Sequence, residues 1–323
     1  MTAVVIGGGI SGIACATALA AAGIDVEVRE RSRALGGRMA TRTLRGTGTR
    51  FEGRLVDVGA SYFTVSDPDF REAVDRLVTE GVARPWTDAF HVAGPDGIEG
   101  VSGGPMRYAA AAGLRSVVAG LADPVVRERV LLRSEVAQIA LGGSGVVVDG
   151  AQVASAALCM PLPQASRISG DLPVETVQWE PVIAVTCVFD RRSWIEMDGV
   201  FVNDDPVLTW IADDGSRRGD GAPVLVAHVH PVLSARHLDD PASVVPAAIA
   251  ALQRVLGLTV LPDWVDAHRW TLAKPLEGRV EGHWMHEDAL LGVAGDAWAG
   301  GPRVEAAWLS GRSLGRALAA RMT

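Results

Sequence analysis

The chain opens on four apolar residues, Ala3-Val4-Val5-Ile6, and this mostly β-branched run predicts a buried parallel strand. A glycine-rich turn follows. Alanine and leucine dominate residues 13–22, which predicts a helix, and Gly23 supplies its stop. Over residues 25–30 apolar positions alternate with charged ones, so a second strand ends on Glu30. Far downstream, residues 289–293 form another short apolar run, and the segment after it leads into a helix reaching about Arg321. Strand patterning also marks residues 130–139, 182–189 and 224–230; residues 241–256 predict a helix, and Asp213-Asp214-Gly215-Ser216 predicts a turn. The pattern is that of an α/β protein.

The first turn carries the clearest chemistry. Gly7, Gly9 and Gly12 form a GxGxxG turn, with Ser11 inside it, between a strand and a helix. In a dinucleotide site the first glycine permits the tight turn, the second lets a pyrophosphate approach the backbone, and the third packs helix on strand. The free N–H groups of the helix amino terminus hold the phosphates. Glu30 stands at the end of the second strand, where a carboxylate accepts hydrogen bonds from the adenosine ribose.

Composition narrows the class. The 323 residues are 48% hydrophobic and 21% charged, enough for a sizeable core. The net charge is −8 and no basic run occurs, which argues against nucleic acid as a partner. Cys15, Cys159 and Cys187 lie far apart without a CxxC, so neither a disulfide framework nor a zinc site is expected, and a reducing cytoplasm fits best. His228 with His230, and His283 with His286, lack a third ligand, so no metal is expected. Residues 2–24 carry no charge, but Gly7, Gly8, Gly9 and Gly12 interrupt the stretch and no basic region precedes it, so neither a membrane span nor a signal peptide is expected. Hydrolase elbows and Walker loops are missing. The single lysine, Lys274, is the one candidate for lysine chemistry.

Beyond Glu30 the segment Arg31-Ser32-Arg33-Ala34-Leu35-Gly36-Gly37-Arg38-Met39-Ala40-Thr41-Arg42 resembles the extended motif of the flavin amine oxidase and renalase superfamily, in which the acid is soon followed by GGR. Gly36 and Gly37 let backbone approach the diphosphate, and Arg38 offers a guanidinium to phosphate or adenine. Gly295-Asp296, followed by Gly300-Gly301-Pro302-Arg303-Val304-Glu305-Ala306-Ala307-Trp308-Leu309-Ser310-Gly311, is similar to the GD…GGRVEGAxLSG segment of renalase-like flavoproteins. Pro302 interrupts that order and Ala306 replaces a glycine; the proline suggests a displaced helix start. Asp57-Val58-Gly59-Ala60-Ser61-Tyr62-Phe63-Thr64 resembles the DxGAxYFT run beside the isoalloxazine, Arg107-Tyr108 with Gly113-Leu114 an RY…GL element, and residues 268–275 a tryptophan-bearing strand by the substrate cavity.

The resemblance spans nearly the whole chain and implies a Rossmann-type FAD-binding domain (residues 1–66, 105–170 and 286–323) with a second, β-rich substrate domain (67–104 and 171–285) whose antiparallel sheet roofs the flavin. FAD is expected to be bound non-covalently by Gly7, Gly9, Ser11, Gly12, Glu30, Arg31, Gly37, Arg38, Met39, Ala60, Ser61, Tyr62, Val136, Gly295, Asp296, Arg303 and Val304. Asp296 would hold a ribityl hydroxyl, and backbone near Val136 would meet adenine. Tyr62, Trp270 and Lys274 are the catalytic candidates, and Trp284 and Trp298 fall near cavity-lining segments. The resemblance further implies an oxidoreductase that accepts a hydride at flavin N5 from dihydropyridine isomers of reduced nicotinamide nucleotides, with dioxygen as acceptor. An oxidase or desaturase of an amine or pathway metabolite is the alternative, and a non-catalytic flavin-binding module the alternative from another class.

Overall fold

The computed structural model describes residues 2–142, 145–170, 172 and 177–322. Strand Ala3–Ile6 runs parallel to Ser155–Leu158 on one side and to Val26–Glu30 on the other. All four of its residues are buried, as expected for a parallel strand covered on both faces. The complete sheet has six strands in the order Trp284–Met285, Leu291–Val293, Ser155–Leu158, Ala3–Ile6, Val26–Glu30 and Val130–Leu132, with only the first pair antiparallel.

Helix Ile10–Ala21 starts three residues ahead of the apolar run that predicts it. Helix Val304–Met322 packs along it at backbone distance: a Cβ on Gly311 would lie 1.9 Å from the Ser11 carbonyl oxygen, and one on Gly315 2.5 Å from that of Cys15. Two glycines four apart on one helical face thus let the last helix close the core begun by the first, with Ile13, Leu19, Leu314 and Leu318 between them. Phe70, Val74 and Leu77 of helix Pro68–Thr79 join the same cluster.

The second sheet has eight strands, in the order Trp264–Pro275, Trp179–Val188, Val224–Val229, Leu208–Asp213, Gly199–Val202, Arg84–Gly94, Gly97–Ala109 and Phe63–Thr64. Gly199–Val202 pairs parallel with Arg84–Gly94, so the roof is not wholly antiparallel. Alternate residues Ile183, Val185, Cys187, Leu225, Ala227 and Val229 pack beneath helix Val245–Leu256. Those between them, Ala184, Val188, Val224 and Val226, face Leu44, Val56 and Val58, next to the first unit.

Three local expectations are corrected. The strand over 130–139 stops at Leu132, because Arg133 turns to a φ of 55° and donates its N–H to the Ser32 carbonyl; pairing resumes only in Ile139–Gly142. The turn at 213–216 is instead the start of helix Asp214–Arg218, with Asp213 as its cap, accepting from the Ser216 N–H at 2.9 Å. The helix over 241–256 begins as a 3-10 turn, Pro241–Val244, and continues as Val245–Leu256 with a proline in its first turn.

Candidate active site

The glycines of the first loop have separate structural reasons. Gly7 has a φ of 110° and sits where a Cβ would lie 2.5 Å from the Cys159 carbonyl oxygen; at Gly12 a Cβ would lie 1.8 Å from the Gly7 carbonyl oxygen. At Gly9, in contrast, a Cβ would meet nothing within 4 Å. The loop is thus closed by protein at Gly7 and Gly12 and left open at Gly9. Beside it, the buried Ser11 hydroxyl has no hydrogen-bond partner. Glu30, 8% exposed, accepts the Gly8 and Ser32 N–H groups, each at 2.7 Å, and so also fixes the loop's shape.

The GGR loop folds over this turn. Gly36 donates its N–H to the Gly8 carbonyl, and Gly37, at a φ of 53°, lies against Gly9. Arg31 is exposed beside it, while Met39 turns inward into the core. Arg38 reaches across 258 residues of sequence to grip Asp296 with two hydrogen bonds of 2.7 and 2.5 Å. It also donates to the Ala273 carbonyl at 3.1 Å and lies over the Trp179 ring. Two residues expected at different parts of the cofactor thus meet each other.

On the carboxy-terminal side, Gly295 has a φ of 159° and donates its N–H to the Ser310 hydroxyl at 3.0 Å. The last helix begins at Val304, so Pro302 and the exposed Arg303 lie ahead of its first turn. Glu305 was not singled out from the sequence. It is buried and accepts from the Ser66 N–H, the Ser66 hydroxyl and the Asp67 N–H at 2.6, 2.5 and 2.8 Å. Burial works to raise its pKa, but these hydrogen bonds, with Arg303, hold the carboxyl below its ordinary range. Val136 is buried among Ile139, Val146 and Leu158. Its segment is tethered to the nucleotide side by the Ser134 N–H on the Glu30 carbonyl.

The segment from Asp57 to Thr64 runs between the two units. Ala60 donates its N–H to the Arg38 carbonyl, Ser61 accepts the Trp210 indole N–H at 2.9 Å, and Val58 offers its carbonyl to the Trp270 indole at 2.7 Å. Tyr62 packs on Phe90 and Trp210 at ring separations of 5.2 and 5.7 Å. Phe201 and Trp86 complete this aromatic wall around Phe90. The tryptophans noted in the sequence divide: Trp270 meets the segment, Trp298 is buried beneath Arg279, and Trp284 packs against the cluster around Leu158. Trp210 was missed; its signal was a tryptophan in the apolar run now seen as strand Leu208–Asp213.

Beneath this segment lies a buried ionic cluster. Arg217, fully buried, donates to the Asp57 and Ser61 carbonyls at 3.1 and 3.3 Å and to the Asp214 carboxylate at 2.5 Å. Arg218 and Arg54 also pair with Asp214. Burial pushes the Asp214 pKa up, but the three arginines bring it below the ordinary value; burial prevails at Asp57, whose pKa is raised. On the sheet face above, His228 stands in the row Trp210, His228, Ala184, His268. Burial, then the charges of Arg217 and Lys274, depress its pKa to about 4, and its Nε2 has no hydrogen-bond partner. Lys274 is more than half exposed and pairs with Glu180 at 2.9 Å. Among the described residues no cluster suited to a metal ion occurs, and no helix is long and apolar enough to cross a membrane.

A Rossmann unit joined to a roofing sheet is the architecture of flavin-dependent oxidoreductases, and the comparisons agree. Residues 5–77 match the NAD(P)-binding Rossmann-like domain, and residues 96–318, more than half of the chain, match flavin containing amine oxidoreductase. The chain belongs to the flavin containing amine oxidoreductase family and is an FAD-dependent oxidoreductase. Similar folds occur in a provisionally named protoporphyrinogen oxidase from Exiguobacterium sp. 255-15 (TM-score 0.77, 14% identity) and in the cyclohexylamine oxidase of Brevibacterium oxydans IH-35A (0.73, 16%). The alignments cover 99% of this chain and 99% of each of those. A putrescine oxidase bound to putrescine aligns at a TM-score of 0.70 and 17% identity, over 99% of this chain and 98% of its own.

Proposed function

We propose that this chain oxidises dihydropyridine isomers of reduced nicotinamide nucleotides, with dioxygen as electron acceptor, in the cytoplasm. The observation that carries the reading is the aromatic cluster beside the Ser61 segment, in which the partly exposed rings of Tyr62 and Phe201 are backed by the buried Phe90 and Trp210, an apolar backing suited to a planar ring. Two features of the first loop fit FAD on physical grounds: the open side of Gly9, where a Cβ would meet nothing within 4 Å, and the buried Ser11 hydroxyl, which has no hydrogen-bond partner. In this reading Gly7, Gly9, Ser11 and Gly12 hold the diphosphate, with Gly37 and Arg38 closing over it. Glu30 and Arg31 take the adenosine end with backbone near Val136, while Met39 contributes only its main chain. Asp296 takes the ribityl chain, Gly295, Arg303 and Val304 bring the last helix to the ring, and Ala60, Ser61 and Tyr62 pass its other side.

FAD, when bound, supplies the two-electron acceptor for the hydride. In this reading the substrate lies between residues 1–66, 105–170 and 286–323 on one side and 67–104 and 171–285 on the other; helix Pro68–Thr79 rests on the former. A dihydropyridine becomes aromatic on losing hydride, so the protein has only to orient the ring and exclude water. Lys274 agrees with this, being committed to Glu180 at the surface. Anaerobic stopped-flow bleaching of the flavin is the test. Isomeric dihydropyridine nucleotides should bleach it faster than ordinary NAD(P)H or any simple amine; faster bleaching by amines would sink the reading in favour of amine oxidation, and no bleaching by any donor would leave a flavin-binding module.

A further inference from the structure

Arg107 carries a charge that nothing described so far uses. Strand Gly97–Ala109 sets it opposite Thr64, two residues beyond Tyr62. The residue is only 6% exposed, its guanidinium lies 4.4 Å from the Phe90 ring centre, and its charge lies close enough to the Tyr62 hydroxyl to work against the rise in pKa that burial causes there. Nη1 has no hydrogen-bond partner, and among the described residues no carboxylate pairs with the group. Gly104 makes the seat: a Cβ there would lie 2.7 Å from Nη2.

A buried guanidinium without a counter-ion is unfavourable, and a ring face satisfies its charge only in part while leaving N–H groups unbonded. The other buried arginines of this region, Arg217 and Arg218, have Asp214. Arg107 differs in having no such carboxylate among the described residues, and it adjoins the aromatic cluster whose partly exposed rings are Tyr62 and Phe201. We propose that Arg107 is the anion-binding residue of the substrate pocket, and that the substrate is a planar molecule whose carboxylate or phosphate docks on its guanidinium. A cationic amine is correspondingly disfavoured there. The inference rests on the wall being the substrate site, and not on the nicotinamide reading.

The test uses the FAD-loaded protein and four non-reacting probes: benzoate, phenyl phosphate, the neutral isostere benzamide, and the cation benzylamine. Binding is read by calorimetry and by perturbation of the flavin spectrum. At least one anion should bind about tenfold or more tightly than benzamide, and benzylamine weakest; which anion leads tells carboxylate from phosphate. Arg107→Gln should reduce the preference below about threefold, and Arg107→Lys should restore part of it. Equal affinity for anions and benzamide in the unaltered protein would overturn the proposal, as would a preference that survives Arg107→Gln. Because the first comparison needs no variant, misfolding of Arg107→Gln leaves the outcome decidable; Gly104→Ala, which crowds the guanidinium, should weaken the anion and spare benzamide. If dihydropyridine nucleotides fail to bleach the flavin while the anion preference holds, the substrate reading falls and Arg107 keeps its role.

Discussion

Gly9 and Gly12 stand three residues apart in one loop, yet they should fail differently. A side chain at 9 meets no protein atom, whereas one at 12 would strike the Gly7 carbonyl. Gly9→Val is therefore expected to fold, with an unchanged circular dichroism spectrum, and to lose FAD, while Gly12→Val loses the fold itself. Glu30→Gln should weaken FAD retention by about 1–3 kcal/mol, the scale of a charge-assisted hydrogen bond, read by calorimetric titration of the apoprotein. Lys274→Met should change the rate of flavin reduction by less than about tenfold, or about 1.4 kcal/mol of barrier; a general acid–base group would contribute about 100-fold or more. At this scale the sequence was informative wherever a glycine's reason is steric and local. It gave no role to Glu305 and Trp210, whose partners Ser66 and Ser61 lie more than a hundred residues away, and none to the side chains of Arg107 and Arg217, whose burial depends on the packing of the second sheet against the first unit.

Among the elements, the carboxy-terminal helix does the most joining. Gly311 and Gly315 bring it onto the first helix, and Glu305, in its first turn, receives three donors from Ser66 and Asp67. Because the folded Glu305 carboxyl has a lowered pKa, its contribution is present above the unfolded value of about 4.3 and is lost as pH falls through the folded one. Glu305→Gln should cost about 1–3 kcal/mol at pH 7, and urea titrations should show the gap between variant and parent closing under acid conditions. The first strand, first helix, second strand and last helix were readable from apolar pattern and glycine punctuation. Residues 130–139 and 213–216 were not: the former depends on Arg133 finding the Ser32 carbonyl, and the latter on Asp213 capping a helix whose arginines pair with Asp214 in its first turn and with Asp57 of a distant strand.

Over the whole molecule, the junction between the units is ionic as well as apolar. Arg217→Met would leave the buried Asp57 and Asp214 short of a counter-charge, and a loss of about 3–5 kcal/mol is expected on chemical denaturation. The flavin itself should come free: the segment from Gly292 onward contains neither cysteine nor histidine to tether it. Acid precipitation is expected to leave FAD in the supernatant, and flavin in the pellet would count against this. The meeting of first and last helices also sets a schedule. Nearly three hundred residues separate their starts, and synthesis at about 5–20 residues per second therefore leaves the first helix waiting for roughly 15–60 s before Gly311 and Gly315 can settle on it. Until then its apolar face is available to chaperones or to neighbouring chains, and the nucleotide loop it supports cannot mature.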